Sequence, residues 1–174
     1  VERWLTENCA GNGFRIAGQG SGSSVAEKIL ARQGNKSLHA MQPDILIRNC
    51  VGRSVGVLDV KWKIPALDKK ISREDLFQIY AYAEHWLNRQ LDNEADLKTM
   101  LIGVIYPTAN PEWGQPEKFE FPNLPGLHGH ILHFCVPTEA TEWQGGFVRP
   151  NNNGIPEIFA TVGLQNAFLR EPAE

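Results

Sequence analysis

Asp44, Asp59 and Lys61 are residue types that together suit hydrolysis of a phosphate diester. Two carboxylates can hold Mg²⁺, a hard cation that takes oxygen ligands. Such a cation polarises a phosphoryl oxygen and makes a bound water more acidic. A lysine beside it orients that water and offsets the charge that builds on the phosphate. Gln78 and Tyr82 lie one helical turn apart further along the chain and have the polar ends to meet a substrate or the lysine.

These side chains need elements that bring them together. In Val57–Lys63 a strand puts Asp59, Lys61 and Lys63 on one face. Leu58, Val60 and Trp62 then point into a core. Pro43 favours extended backbone just before it, so a strand over Asp44–Arg48 is expected, with Asp44 at its start. The short link Asn49–Ser54 contains Gly52 and suggests an antiparallel hairpin. Ser72-Arg73-Glu74-Asp75 is a helix start signal. Leu76, Ile79, Tyr80, Ala83 and Leu87 recur at helical spacing as its apolar face, with Gln78 and Tyr82 flanking that stripe. A lone D-x-K is common and usually a solvated face, and Pro-Asp often marks only a turn. The conjunction, in this order and spacing, is more specific.

The same residues resemble a known group. Pro43-Asp44 followed by Asp59-Val60-Lys61 is similar to the PD-(D/E)xK motif of restriction-endonuclease-like nucleases. Gln78-Ile79-Tyr80-Ala81-Tyr82 resembles the Q-x-x-x-Y element of their RecB-like branches. The wording MQPDILIRN, LDVKWK, DLFQIYAYAEHW and GVIYP resembles the McrC-type nuclease domain, the cutting part of McrBC modification-dependent restriction systems, over about residues 1 to 137. The resemblance implies an α/β fold with a mixed central sheet flanked by helices. It implies Mg²⁺, with Mn²⁺ as a substitute, held by Asp44, Asp59 and the Val60 carbonyl. It gives Lys61 the catalytic part, Gln78 and Tyr82 auxiliary parts, and Glu2 of the first helix a place completing the metal shell. DNA is the implied substrate, and a McrB-like GTP-hydrolysing AAA+ motor the implied partner. Relatives of this type carry an N-terminal part that engages the motor, whereas this sequence begins at the nuclease part, so a piece of a longer chain is expected. The alternatives are a RecB-like exonuclease of DNA repair or CRISPR adaptation, and a nuclease fold kept as a non-catalytic binding module.

Composition bounds these readings. With 174 residues, 42% hydrophobic and 21% charged, the chain suits one globular domain over 1–174. No apolar run is long enough to span a bilayer and no signal peptide is visible, so a cytoplasmic protein without membrane attachment is expected. Cys9, Cys50 and Cys135 are odd in number and widely spaced, which suggests reduced, mostly buried thiols. A net charge of −3 is unlike a dedicated DNA-binding module. Its distribution is more favourable, because Lys61, Lys63, Lys69, Lys70 and Arg73 cluster. Lys63, Lys69, Lys70 and Arg73 are therefore candidate phosphate contacts. Paired cuts need two sites, so a homo-oligomer or larger assembly is plausible.

The remaining chain reads as support. Residues 1–9 suggest a helix with Trp4 and Leu5 inward, and Phe14–Ala17 a short strand. The glycine-serine stretch Gly18–Ser24 lacks the ending of a phosphate-binding loop and reads as a connection. Val25–Arg32 suggests a short helix closed by Gly34. Asn88–Lys98 reads as a surface connection, Thr99–Tyr106 as a buried central strand. Pro107–Pro125 reads as a long ordered loop whose Trp113, Phe119 and Phe121 pack or stack on bases. Gly129–Pro137 reads as an edge strand. His128 and His130 share one face and His133 takes the other, a weak metal pattern, so packing or surface roles are favoured. Ile155–Leu169 suggests an amphipathic helix.

Overall fold

The computed structural model describes residues 1–9, 14–18, 28–63, 71–87, 100–108, 117–124, 127–136 and 146–147. Its centre is β6 (Leu101–Thr108), in which residues 101–106 are all buried. That continuous apolar run has a cause: β6 lies between two parallel neighbours, β5 (Ser54–Val60) and β8 (His128–Cys135). The rest of the seven-stranded sheet is antiparallel. The hairpin partner β4 (Ile45–Arg48) extends it to β1 (Arg15–Gly18) on one side, and β7 (Glu117–Glu120) and β9 (Gly146–Phe147) flank β8 on the other. The mixed sheet with helices is the α/β architecture expected from the resemblance.

Alternation along the strands divides the core in two. Leu46, Val57, Ile102, Val104 and Tyr106 meet Ile79, Tyr82, Ala83 and Trp86 of the long helical segment. Ile45, Ile47, Leu58, Leu101 and Ile105 meet Leu5 of the first helix, α1 (Glu2–Cys9). The long segment starts as α2 (Arg73–Tyr82) and continues as a wider π turn, Ala83–Leu87. Ser72 caps α2, its Oγ accepting the Asp75 N–H at 3.2 Å. Among the described residues no helix is long and apolar enough to cross a membrane.

Several expectations are corrected. Val25–Arg32 is not a helix where it is described. Residues 28–33 form β2 (Lys28–Gln33), paired with β3 (Lys36–Met41) as a separate two-stranded sheet. Gln33 faces Lys36 across Gly34-Asn35, and Gly34 has φ +58°. A two-residue hairpin turn requires that positive φ, and so does a helix C-cap, so the glycine alone suits both. Part of the expected loop Pro107–Pro125 is the strand β7, and β8 is interior rather than an edge. Phe121 is buried in the core and Phe119 packs on it, ring to ring at 5.2 Å, which favours packing over stacking on bases for these two. Trp62 is 79% exposed, not in the core, because β5 ends at Val60 and strand alternation stops there. Cys50 is exposed rather than buried. Residues 19–24, Asn88–Lys98, Trp113 and Ile155–Leu169 lie outside the described residues.

Candidate active site

The β4–β5 register pairs Ile45 with Leu58. Carried one residue further, it sets Asp44 opposite Asp59 on the face that α2 covers. The ladder is completed there by a side chain: Asp44 Oδ2 accepts the Val60 N–H at 2.8 Å. The next residue stays tied to the sheet through Lys61 N–H to Ile105 C=O at 2.9 Å. The backbone leading into Lys61 is thus held although the regular strand has ended.

Lys61 turns its ammonium onto Asp59 Oδ2 as an ion pair and donates to Gln78 Oε1 at 2.6 Å. The Gln78 amide is oriented from the far side. Tyr82 donates its hydroxyl proton to the Gln42 carbonyl at 3.1 Å, so its oxygen is left to accept from Gln78 Nε2, which it does at 2.7 Å. A backbone carbonyl accepts only; the direction of the whole chain, Gln78 to Tyr82 to Gln42, follows from it. Gln78 Oε1 must then face Lys61. The same amide reaches Asp59 Oδ1 at 3.4 Å. Tyr82 is buried with Ile79 rather than merely flanking the apolar stripe.

Two further residues enter this network that motif reading did not supply. Asp75, 3% exposed, accepts the Tyr106 hydroxyl at 2.8 Å and the Lys63 ammonium at 2.8 Å on one oxygen. Its other oxygen faces Lys61 Nζ at 3.8 Å. Asp75 had a sufficient local explanation as a cap residue, and Tyr106 read as core. Only the GVIYP wording singled the tyrosine out.

Burial dominates the titration of Asp59 and raises its pKa above the ordinary carboxylate value; Lys61 works against the shift, while Asp44 and Asp75 add to it. For Asp75 burial also acts upward, but hydrogen bonds from Lys63, Tyr106 and Ser72 outweigh it together and hold the pKa low. Tyr82 is pushed up to about 12 by burial, with the nearby Asp59 and Asp44 charges acting the same way. Burial likewise raises Tyr106. Both hydroxyls therefore keep their protons at neutral pH.

The donors suit a hard cation. Asp59 Oδ2 is buried against the Lys61 ammonium. Asp59 and Asp75 pair with the ammonium groups of Lys61 and Lys63, and Asp44 adds a further carboxylate close enough to act on Asp59. Among the described residues no three His, Cys, Asp or Glu side chains converge into a cage. Two aspartates and the Val60 carbonyl match Mg²⁺, which keeps several waters and takes one or two carboxylates. Glu2 is placed over Gly18, where an added β-carbon would overlap its carboxylate. Gly18 pairs with Ile45, whose side chain packs on the α1 side of the sheet, so Glu2 is placed on that side and forms no metal-holding group with the two aspartates.

The basic candidates separate. Lys63 bends inward to Asp75 and to Ser72 Oγ at 3.2 Å, although half exposed. Arg73 is exposed, with its guanidinium over the Phe77 ring at 5.2 Å. Lys69 and Lys70 lie outside the described residues. The histidines do not converge: His130 is buried, His128 lies 3.9 Å from Glu120, and the His133 ring packs by Tyr106 at 6.2 Å.

Comparison with known proteins gives a family and a similar fold. The sequence model of a family described as McrBC 5-methylcytosine restriction system component matches residues 1–102. The fold is similar to a chain of the refined half-complex from the tetradecameric assembly of Thermococcus gammatolerans McrB AAA+ hexamers with bound McrC. The identity is 16% and the TM-score 0.50, over 93% of the present chain. This chain spans 30% of the length of that one. No curated protein matches the sequence.

Proposed function

Because the chain belongs to the family of McrBC 5-methylcytosine restriction system components, we propose that it is a cutting component, a metal-dependent endonuclease that hydrolyses DNA phosphodiester bonds. The observation that carries this reading is Lys61, whose ammonium is held between Asp59 and Gln78 where Asp44 faces Asp59 across two strands.

Asp44, Asp59 and the Val60 carbonyl are the groups that would hold Mg²⁺ or Mn²⁺, with Glu2 of the first helix proposed to complete the shell. When bound, the cation supplies charge neutralisation at the phosphate and a more acidic water. Lys61 donates hydrogen bonds toward the attacked phosphate and steers the incoming water. It also offsets negative charge as the phosphorus–oxygen bond to the leaving sugar breaks. Gln78 and Tyr82 act through Lys61 by fixing where its ammonium sits. Arg73 and Lys63, with Lys69 and Lys70 from the intervening segment, are the proposed phosphate contacts along the DNA backbone.

A McrB-like GTP-hydrolysing AAA+ motor is the proposed partner, in keeping with the assembly in which the similar solved chain is found. Two copies of the site in such an assembly would allow paired cuts. Cleavage of supercoiled plasmid with Mg²⁺, Mn²⁺ or EDTA, with and without the motor and GTP, tests the reading. Metal-dependent nicks and internal breaks, lost in Lys61→Ala, are expected. Progressive loss from DNA ends would make the protein an exonuclease instead. Failure to bind Mn²⁺, together with no cutting, would make it a binding module.

A further inference from the structure

Asp75 is a buried carboxylate that the mechanism above does not use. A cap at this helix position needs only the backbone N–H that Ser72 accepts, and a solvated aspartate would serve. Burying a carboxylate is costly unless charged partners repay it. Here the partners are specific: both lysines of Lys61-Trp62-Lys63, and a tyrosine hydroxyl from the central strand.

We propose that Asp75 is a positioning residue for Lys61, anchored by Lys63 and Tyr106 on one oxygen and confining the Lys61 ammonium with the other. The inference rests on the reading of Lys61 as the catalytic lysine. A lysine side chain carries four rotatable bonds and a mobile point charge, so something must limit where it goes. Asp59 cannot do this alone, because the same carboxylate is a proposed metal ligand. Gln78 is neutral. Among the described residues Asp75 is the other carboxylate paired with Lys61, and it is bonded to β6, on the side away from Asp44's strand. Its own place is fixed twice, by the Ser72 cap on its backbone and by the Tyr106 hydroxyl on its side chain. Tyr106 is fully buried.

The test uses the full chain, together with the motor if cutting requires it, and compares wild type with Asp75→Asn and Tyr106→Phe. The first readout needs no activity. Brief acylation at fixed pH with an N-hydroxysuccinimidyl ester, read lysine by lysine by mass spectrometry, should rise several-fold at Lys61 and Lys63 in Asp75→Asn. It should rise less in Tyr106→Phe, which keeps the carboxylate, and stay unchanged at the exposed Lys36 and Lys118. The second readout is cleavage kinetics. Here kcat should fall roughly ten- to hundredfold, as for a misplaced reacting group, whatever releasing Lys63 does to KM for DNA. Unaltered labelling of Lys61 in a folded Asp75→Asn protein would overturn the proposal, as would a loss confined to KM. Should Asp75→Asn fail to fold, the labelling of Tyr106→Phe decides. Wild type that never cuts would overturn the nuclease reading, while the labelling would still decide whether Asp75 confines Lys61.

Discussion

Asp44 Oδ2 accepts the backbone N–H of Val60 at 2.8 Å, sixteen residues away. One side chain therefore both finishes the β4–β5 ladder and faces the proposed cation. The two tasks separate by mutation. Asp44→Asn keeps an oxygen for the Val60 N–H and should abolish Mn²⁺ binding and cutting with little change in melting temperature. Asp44→Ala should cost a further 1–3 kcal/mol, roughly the penalty for an unsatisfied donor. Calorimetry with and without Mn²⁺ checks both. Equal stability of the two variants would remove the structural task.

The hydrogen-bond chain from Lys61 to the Gln42 carbonyl predicts a graded series. Lys61→Ala should lower kcat by about 10²–10⁴, the usual range for a proton-handling or orienting group. Gln78→Ala removes a direct contact of the ammonium and should come next. Tyr82→Phe leaves Gln78 in place but frees its amide to turn over, and should have the smallest effect. Single-turnover cleavage by the three variants checks the order, and Tyr82→Phe as damaging as Lys61→Ala would contradict it.

Gly18 leaves the space that the Glu2 carboxylate occupies. Gly18→Ala should therefore expel that carboxylate. If Glu2 supports the cation, Gly18→Ala and Glu2→Gln should each weaken Mn²⁺ binding by roughly 10–100-fold. Combined, they should be no worse than either alone, because both remove the same group. Isothermal titration with Mn²⁺ measures this. Unchanged affinity in Glu2→Gln would deny Glu2 a place in the shell.

His130 gives a stability profile independent of the cation. Burial, with Lys118 and His128 acting the same way, lowers its pKa from 6.5 to about 4. The unfolded chain then binds a proton that the folded one refuses between these values. Stability contributed by the neutral ring is complete above pH 6.5 and is lost as the pH falls toward about 4. Its size is at most about 3 kcal/mol, since each tenfold change in proton affinity is worth about 1.4 kcal/mol. Urea unfolding across this range should show the slope in wild type, and His130→Gln should flatten it.

The legible part of the site was the part written in local spacing. Asp59 and Lys61 stand two apart in a strand, and Gln78 and Tyr82 one turn apart in a helix, so alternation and helical pitch were enough. Asp75 was also visible, but its cap role explained it fully at short range. Its bond to Tyr106 crosses 31 residues, and no local pattern carries such a contact. The same limit governs the strands. β6 was readable because two parallel neighbours force it to be apolar throughout. β8 reads as an edge because nothing in its own residues states that β6, β7 and β9 all pair with it. Trp62 shows the converse error, strand alternation carried two residues past the strand's end.

The central strand also sets when the site can exist. A chain that has left the ribosome as far as Tyr82 holds all five motif residues, yet lacks the Ile105 carbonyl that clamps Lys61 and the hydroxyl of Tyr106. Contacts at this separation need the later segment and the closing of a long loop. A half-made polypeptide would therefore hold the five motif residues without the strand that clamps Lys61, and the proposed chemistry would wait for β6 to join the sheet.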